Sequence, residues 1–191
     1  MTTAQLTQPS AYAAIKMATE QHGFTMPSEL MTGSLLSTLA AAKPNGRFLE
    51  LGTGTGLSTA WILQGMNENS TLISVDNDQQ VQEIASRYLG EDKHLSLVCS
   101  DGETWLKANY RSKFDYIFAD TWAGKYNTLE ETLAMLNSGG FYLIDDMLPQ
   151  ENWPEGHAEK VTQLLDYLET RTDLTLTKLN WASGIVIAVK K

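Results

Sequence analysis

The sequence predicts an α/β fold: a doubly wound, seven-stranded, mostly parallel sheet with one antiparallel strand, helices on both faces and further helices ahead of it. Three observations carry this expectation. First, five short apolar runs, each ending in polar or glycine residues, alternate with helix-compatible stretches. That rhythm requires right-handed crossovers between parallel strands. Second, after the fifth run come a long amphipathic stretch and two apolar runs joined by "WASG", a turn so short that it makes only an antiparallel hairpin. Third, 191 residues with 42% hydrophobic content are enough for one domain with its own core.

The elements follow in order. Residues 10–22 are Ala-rich and helical, and "SELMTGSLLSTLAAA" (28–42) is a second helix that follows Pro27. Together residues 1–42 read as an N-terminal helical cap on a core spanning 43–191, the two parts forming a single domain. "KPNG" (43–46) is a turn cluster. The five runs are "RFLEL" (47–51), "TLISVD" (71–76), "LSLVCS" (95–100), "FDYIFAD" (114–120) and "GFYLIDD" (140–146), with helices expected near 56–66, 78–89, 102–109 and 128–137. Residues 154–171 read as a helix with Val161, Leu164, Leu165 and Leu168 on one stripe. The hairpin strands are 174–180 and 184–190.

Composition narrows the function classes. The net charge is −9, and no Lys/Arg cluster is present to neutralise phosphates, which argues against a nucleic-acid partner. No stretch approaches the ~18–20 apolar residues of a membrane span. The N-terminus lacks a basic region followed by an apolar core, and the single Cys99 suits a reducing compartment. A cytoplasmic protein acting on a small molecule, without membrane or nucleic acid, is the expectation.

In an open parallel sheet, ligands sit beyond the carboxyl ends of the strands. All five of those ends carry acids: Glu50 before Gly52–Gly56, then Asp76, Asp101, Asp120, and Asp145 with Asp146. Loop and helix-cap preference accounts for some of them. The glycine loop after the first strand, E-L-G-T-G-T-G (50–56), fits neither phosphate-binding pattern. The dinucleotide fingerprint places a third glycine at 57, which is Leu57; the P-loop needs a Gly-Lys pair that is missing.

What stands there resembles motif I of the Rossmann-like S-adenosylmethionine-dependent methyltransferases, whose E/D-x-G-x-G-x-G pattern Glu50–Gly56 matches. The resemblance implies that Gly52 and Gly54 lie against the amino-acid part of the cofactor, with Glu50 supporting its amino group. Asp76 would accept hydrogen bonds from the ribose, and Asp101 from the adenine amino group. Thr53, Gly56, Asn77, Gly102 and Asp120 complete the implied cofactor site. For Asp101 a helix N-cap is the plainer reading, and the two roles are compatible.

Two further stretches, "FDYIFADTWAGKY" (114–126) and "GGFYLIDDMLP" (139–149), resemble the catechol and caffeoyl-CoA O-methyltransferases. There an Asp after the fourth strand and an acidic pair after the fifth hold magnesium, which binds vicinal substrate hydroxyls. The resemblance implies Asp120, Asp145 and Asp146 as the ligands of Mg2+ or another divalent cation. The chemistry is sensible: a phenol with pKa ~10 is about 0.1% ionised at pH 7, a handicap of roughly 4 kcal/mol, which a hard cation offsets. One departure stands out. The catechol enzymes carry a catalytic lysine three residues after the first Asp, where this chain has Ala123; Lys125 is the nearest substitute, with Asp120 as the other candidate catalytic group.

Trp122 and Trp153 are read either as walls for an aromatic acceptor or as ordinary packing, and His157 as a surface helix residue. The function expected is methyl transfer to a hydroxyl of a small phenolic or catecholic molecule. The rivals are a metal-independent methyltransferase acting on nitrogen or carboxylate, a non-catalytic S-adenosylmethionine-binding protein, and a nucleotide-binding oxidoreductase. The family often forms homodimers, although no interface signature is visible.

Overall fold

The computed structural model describes residues 6–150 and 153–191. Its helices are α1 (Tyr12–His22), α2 (Leu30–Ala41), α3 (Leu57–Gly65), α4 (Gln79–Leu89), α5 (Gly102–Ala108), α6 (Leu129–Ala134) and α7 (His157–Thr170). Its strands are β1 (Arg47–Leu51), β2 (Thr71–Asp76), β3 (Leu95–Cys99), β4 (Phe114–Ala119), β5 (Leu136–Ile144), β6 (Leu174–Leu179) and β7 (Ile185–Lys190). They form one sheet in the order β3-β2-β1-β4-β5-β7-β6. Strands β1 to β5 pair in parallel, and β7 runs antiparallel to both β5 and β6, as the short hairpin turn requires.

Side-chain alternation along the strands divides the core in two. Leu49, Leu51, Ile117, Ala119, Tyr142 and Ile144 face one side, where Trp105 and Leu106 of α5, Leu133 of α6 and Val161, Leu164 and Leu168 of α7 cover them. Phe48, Tyr116, Phe118 and Leu143 face the other, under Leu36 and Ala40 of α2 and Ile62 of α3. Because both faces are covered, the central strands read as continuous apolar runs rather than alternating ones.

Glycine within a helix costs about 1 kcal/mol relative to alanine, so Gly33 in α2 requires an explanation. A Cβ there would lie 2.2 Å from the indole of Trp61 on α3. The small residue lets α2 and α3 pack backbone-close over the sheet, with the indole in the gap.

One element departs from the sequence reading. The expected helix 128–137 stops at Ala134, and β5 starts at Leu136 instead of 140. Gly139 and Gly140 cannot sustain a helix, and Asn137 donates to Asp115 of β4 at 2.8 Å. Leu136 therefore pairs with Phe114 before a register shift re-aligns the strands at Tyr116 and Phe141. Asp145 and Asp146 then fall just beyond the strand. Among the described residues, no helix is long and apolar enough to cross a membrane.

Candidate active site

The strand order reverses between β1 and β4, and the crevice opens at their carboxyl ends, where doubly wound sheets bind ligands. The backbone amides of Gly52 and Thr53 turn back onto the Val75 carbonyl of β2 at 2.9 and 3.3 Å. Gly52 has φ +101°, and a Cβ there would sit 2.7 Å from the Asp120 carbonyl oxygen. Only glycine both adopts that angle and passes so close to β4. The result is a loop crest with little side chain, facing a cavity of about 490 Å3. A smaller recess of about 240 Å3 shares Gly52, Asp76, Asn77, Thr121 and Trp122 with the cavity.

Asp76 holds this crest in place. One carboxylate oxygen accepts from Gly54 N at 2.7 Å, the other from Asp78 N at 2.9 Å. Asp78 in turn caps α4 through Gln80 N and Val81 N. Asp101 caps α5, accepting from the Thr104 amide at 2.8 Å and its hydroxyl at 2.7 Å, and these bonds hold its carboxyl below the usual range. With Gly102 it also lines the smaller recess, so the cap and lining roles coincide.

Two residues of the glycine motif stand elsewhere than the resemblance implies. Glu50 lines neither space; it lies fully buried beneath the crest, accepting at 2.5 Å from both Thr59 of α3 and Ser74 of β2. Burial pushes its pKa up to about 7. Gly56 also avoids the cavity: a Cβ there would lie 2.8 Å from Ala85, so it lets α4 approach α3. Thr53 lines the cavity, but its hydroxyl is taken by Ser74 at 2.6 Å and Gln82 at 3.0 Å.

Asp120, Asp145, Asp146 and Lys125 do line one cavity. Burial, then the neighbouring Asp145, pushes the Asp120 carboxyl well above the carboxylate range, and Lys125 offsets this in part. Burial likewise lowers Lys125, against the pull of the three carboxylates. The Lys125 ammonium donates to the Asp145 carbonyl oxygen at 2.7 Å. Asp145 accepts from the Ser183 hydroxyl and, at 2.7 Å, from the Asp146 amide. Asp146, at φ +63°, accepts from Trp153 Nε1 at 2.7 Å, and its other oxygen is 3.4 Å from His157 Nε2. Ser28 of the α1–α2 connection donates to Asp120 at 3.4 Å.

The acids lie differently from the preformed ligand set that the resemblance implies. Magnesium demands near-octahedral oxygen ligation by groups free to turn toward it. Here Asp145 Oδ1 and Asp146 meet protein donors, and among the described residues no three His, Cys, Asp or Glu side chains form a group that could hold a metal ion.

His157 is a further correction. Instead of lying on the surface it is 4% exposed, enclosed by Trp122, Tyr126 and Trp153, with its ring 4.5 Å from that of Trp153. Its Nε2 is 3.1 Å from the Tyr126 hydroxyl. Nδ1 is buried and has no hydrogen-bond partner among the described residues. Burial lowers the His157 pKa. Sequence reasoning also missed Ser28, Ser183 and the 24–29 segment, where Phe24 meets the crest at Gly54. None of these carries a local motif.

Known proteins bear on the family of the chain. The profile of a family described as a methyltransferase domain matches residues 49–147, just over half of the chain. A Mycobacterium sp. (strain KMS) protein provisionally named an O-methyltransferase is 27% identical over 139 residues, 69% of this chain and 63% of that relative. The chain thus spans under two thirds of the length of that curated relative. Among solved structures, the O-methyltransferase TomG from Streptomyces achromogenes, in complex with S-adenosylmethionine, superposes with a TM-score of 0.85 at 19% identity, covering 98% of this chain and 92% of that one. A Bacillus cereus O-methyltransferase in complex with S-adenosylhomocysteine gives 0.83 at 17% identity, covering 98% and 93%. These two likenesses speak to the fold, while the sequence profile reaches from the middle of β1 to just past the Asp145–Asp146 pair. The chain belongs to the methyltransferase-domain family.

Proposed function

We propose that this protein transfers a methyl group from S-adenosylmethionine to a hydroxyl of a small molecule, with a phenolic acceptor fitting best. The observation that carries this reading is the two-part cleft astride the glycine crest. Asp76 and Asn77 stand between the two spaces, Asp101 and Gly102 line the smaller, and an acid–lysine floor with aromatic walls lines the larger. A long ligand with an adenosine at one end suits such a cleft. Leu57 stands where the pyrophosphate-binding fingerprint places its third glycine.

When bound, S-adenosylmethionine supplies an electrophilic methyl on a sulfonium. The chain's own residues do the rest. Gly52 and Gly54 allow close backbone approach, and Asp76 presents a carboxylate already oriented by the Gly54 and Asp78 amides. Asp120 lines the same cavity and is the carboxylate positioned to accept the acceptor's proton. Lys125 faces the same cavity and offsets charge there. Trp122 and Trp153 give a planar acceptor an apolar surface, and holding reactants in line accounts for much of a methyl transfer's acceleration.

The test is transfer of labelled methyl from S-adenosylmethionine to a panel of phenols, catechols, amines and carboxylates, with and without EDTA. Label on a hydroxyl supports the proposal. Label only on nitrogen or carboxylate moves the acceptor class, and tight cofactor binding with no transfer to any acceptor makes the protein a sensor.

A further inference from the structure

The sharpest disagreement between this chain and the metal-dependent enzymes it resembles lies at the end of β5. We propose that the acidic floor here is closed by the chain's own donors, and that Asp146 anchors the aromatic wall of the acceptor cavity instead of binding a divalent cation. The observations are independent of one another. Trp153 Nε1 donates to one Asp146 oxygen at 2.7 Å, and His157 Nε2 lies 3.4 Å from the other. The Ser183 hydroxyl and the Asp146 amide both donate to Asp145 Oδ1. The Asp145 carbonyl oxygen, another atom able to coordinate a cation, accepts from Lys125. A divalent ion held by Asp145 Oδ1, the Asp145 carbonyl oxygen and Asp146 would have to displace these donors and bring its charge close to Lys125, among the described residues the only Lys or Arg lining the cavity.

The same bonds place the wall. Trp153 opens the turn into α7, and His157 is the first residue of that helix. Pro154 and Gly156 between them make a tight turn, with the His157 amide on the Pro154 carbonyl at 3.1 Å and Gly156 at φ +80°. Asp146 therefore grips both ends of the 153–157 turn, through the Trp153 indole and the His157 imidazole. The left-handed backbone of Asp146 turns its carboxylate toward them; Asp and Asn tolerate that conformation better than most residues. Tyr126 closes the set from the β4 side by meeting His157 at 3.1 Å.

The inference rests on donor chemistry, so it stands apart from the identity of the acceptor, and its test needs none. Purified protein is titrated with MgCl2 and MnCl2 up to about 10 mM, by calorimetry and thermal unfolding, with and without S-adenosylhomocysteine. The proposal expects no saturable heat and no metal-dependent shift in Tm. Stoichiometric binding that Asp145→Asn abolishes would overturn it. In metal-free buffer, a double-mutant cycle between Asp146→Ala and Trp153→Phe should show a coupling of about tenfold in the unfolding equilibrium constant. The backbone cost of Ala at φ +63° occurs in both arms and cancels. Additive effects would remove the anchor. Should Asp146→Ala fail to fold, Asp146→Asn keeps the turn, and the wild-type metal titration decides alone. Binding of S-adenosylhomocysteine in the same samples reports separately on the methyltransferase reading.

Discussion

Replacing Glu50 with glutamine probes the buried acid that supports the glycine crest. Glu50 is 0% exposed, and its pKa rises from 4.5 to about 7, chiefly through burial. Between those two values the folded protein holds a proton that the unfolded chain has released. Stability therefore declines as pH rises through this window, and the folded state carries the full cost of a buried carboxylate only above pH ~7. A shift of this size corresponds to about 3 kcal/mol at 1.36 kcal/mol per unit. Glutamine is close in shape, never ionises, and faces hydroxyls of Thr59 and Ser74 that can accept as well as donate. Urea unfolding of both proteins at pH 5, 6, 7 and 8 should show E50Q gaining on the wild type by about 2–3 kcal/mol between the first and last values. A pH-independent difference would mean that Glu50 ionises normally, and the account of a dry support beneath the crest would be wrong.

Other consequences follow from the same geometry. Asp76→Ala should weaken S-adenosylhomocysteine binding by about 10- to 100-fold, the loss expected for hydrogen bonds to a charged group; unchanged affinity in calorimetry would remove Asp76 from the cofactor site. Gly33→Ala forces a methyl group into the Trp61 indole and should cost about 1–3 kcal/mol in urea unfolding, although alanine is the better helix former. His157 has a depressed pKa, so its contribution is complete above pH 6.5 and lost as pH falls below that value. His157→Gln should remove this acid-side slope, the opposite in sign to that of Glu50; an identical slope in the variant would show that His157 titrates normally.

The layered sheet was legible because its signals are local. Apolar runs of five to seven residues ended by acids and glycines gave the strands, and "WASG" forced the hairpin. Leu57, where the dinucleotide fingerprint has glycine, points away from pyrophosphate ligands. The start of β5 was misjudged because "LNSGG" has no strand pattern; its pairing is set by β4 and by the Asn137–Asp115 bond. The site was legible as a set of residues but not as an arrangement. Proximity in the cleft follows from strand ends, so Asp76, Asp101, Asp120, Asp145 and Asp146 were found. Where each carboxylate points depends on partners distant in sequence. Ser183 lies 38 residues from Asp145, Ser28 lies 92 from Asp120, and a seven-residue reach brings Trp153 onto Asp146. His157 reads as exposed because its neighbours in sequence are polar; the turn before it rolls its ring inward against its own Trp153 and against Trp122 and Tyr126 from beyond β4.

The central claim, that the cleft astride residues 52–56 holds S-adenosylmethionine rather than a dinucleotide, is tested most directly by calorimetric titration of the purified protein with each ligand. Saturable one-site binding of S-adenosylmethionine with no heat from NAD is the predicted result, and saturable NAD binding with none for S-adenosylmethionine would contradict it.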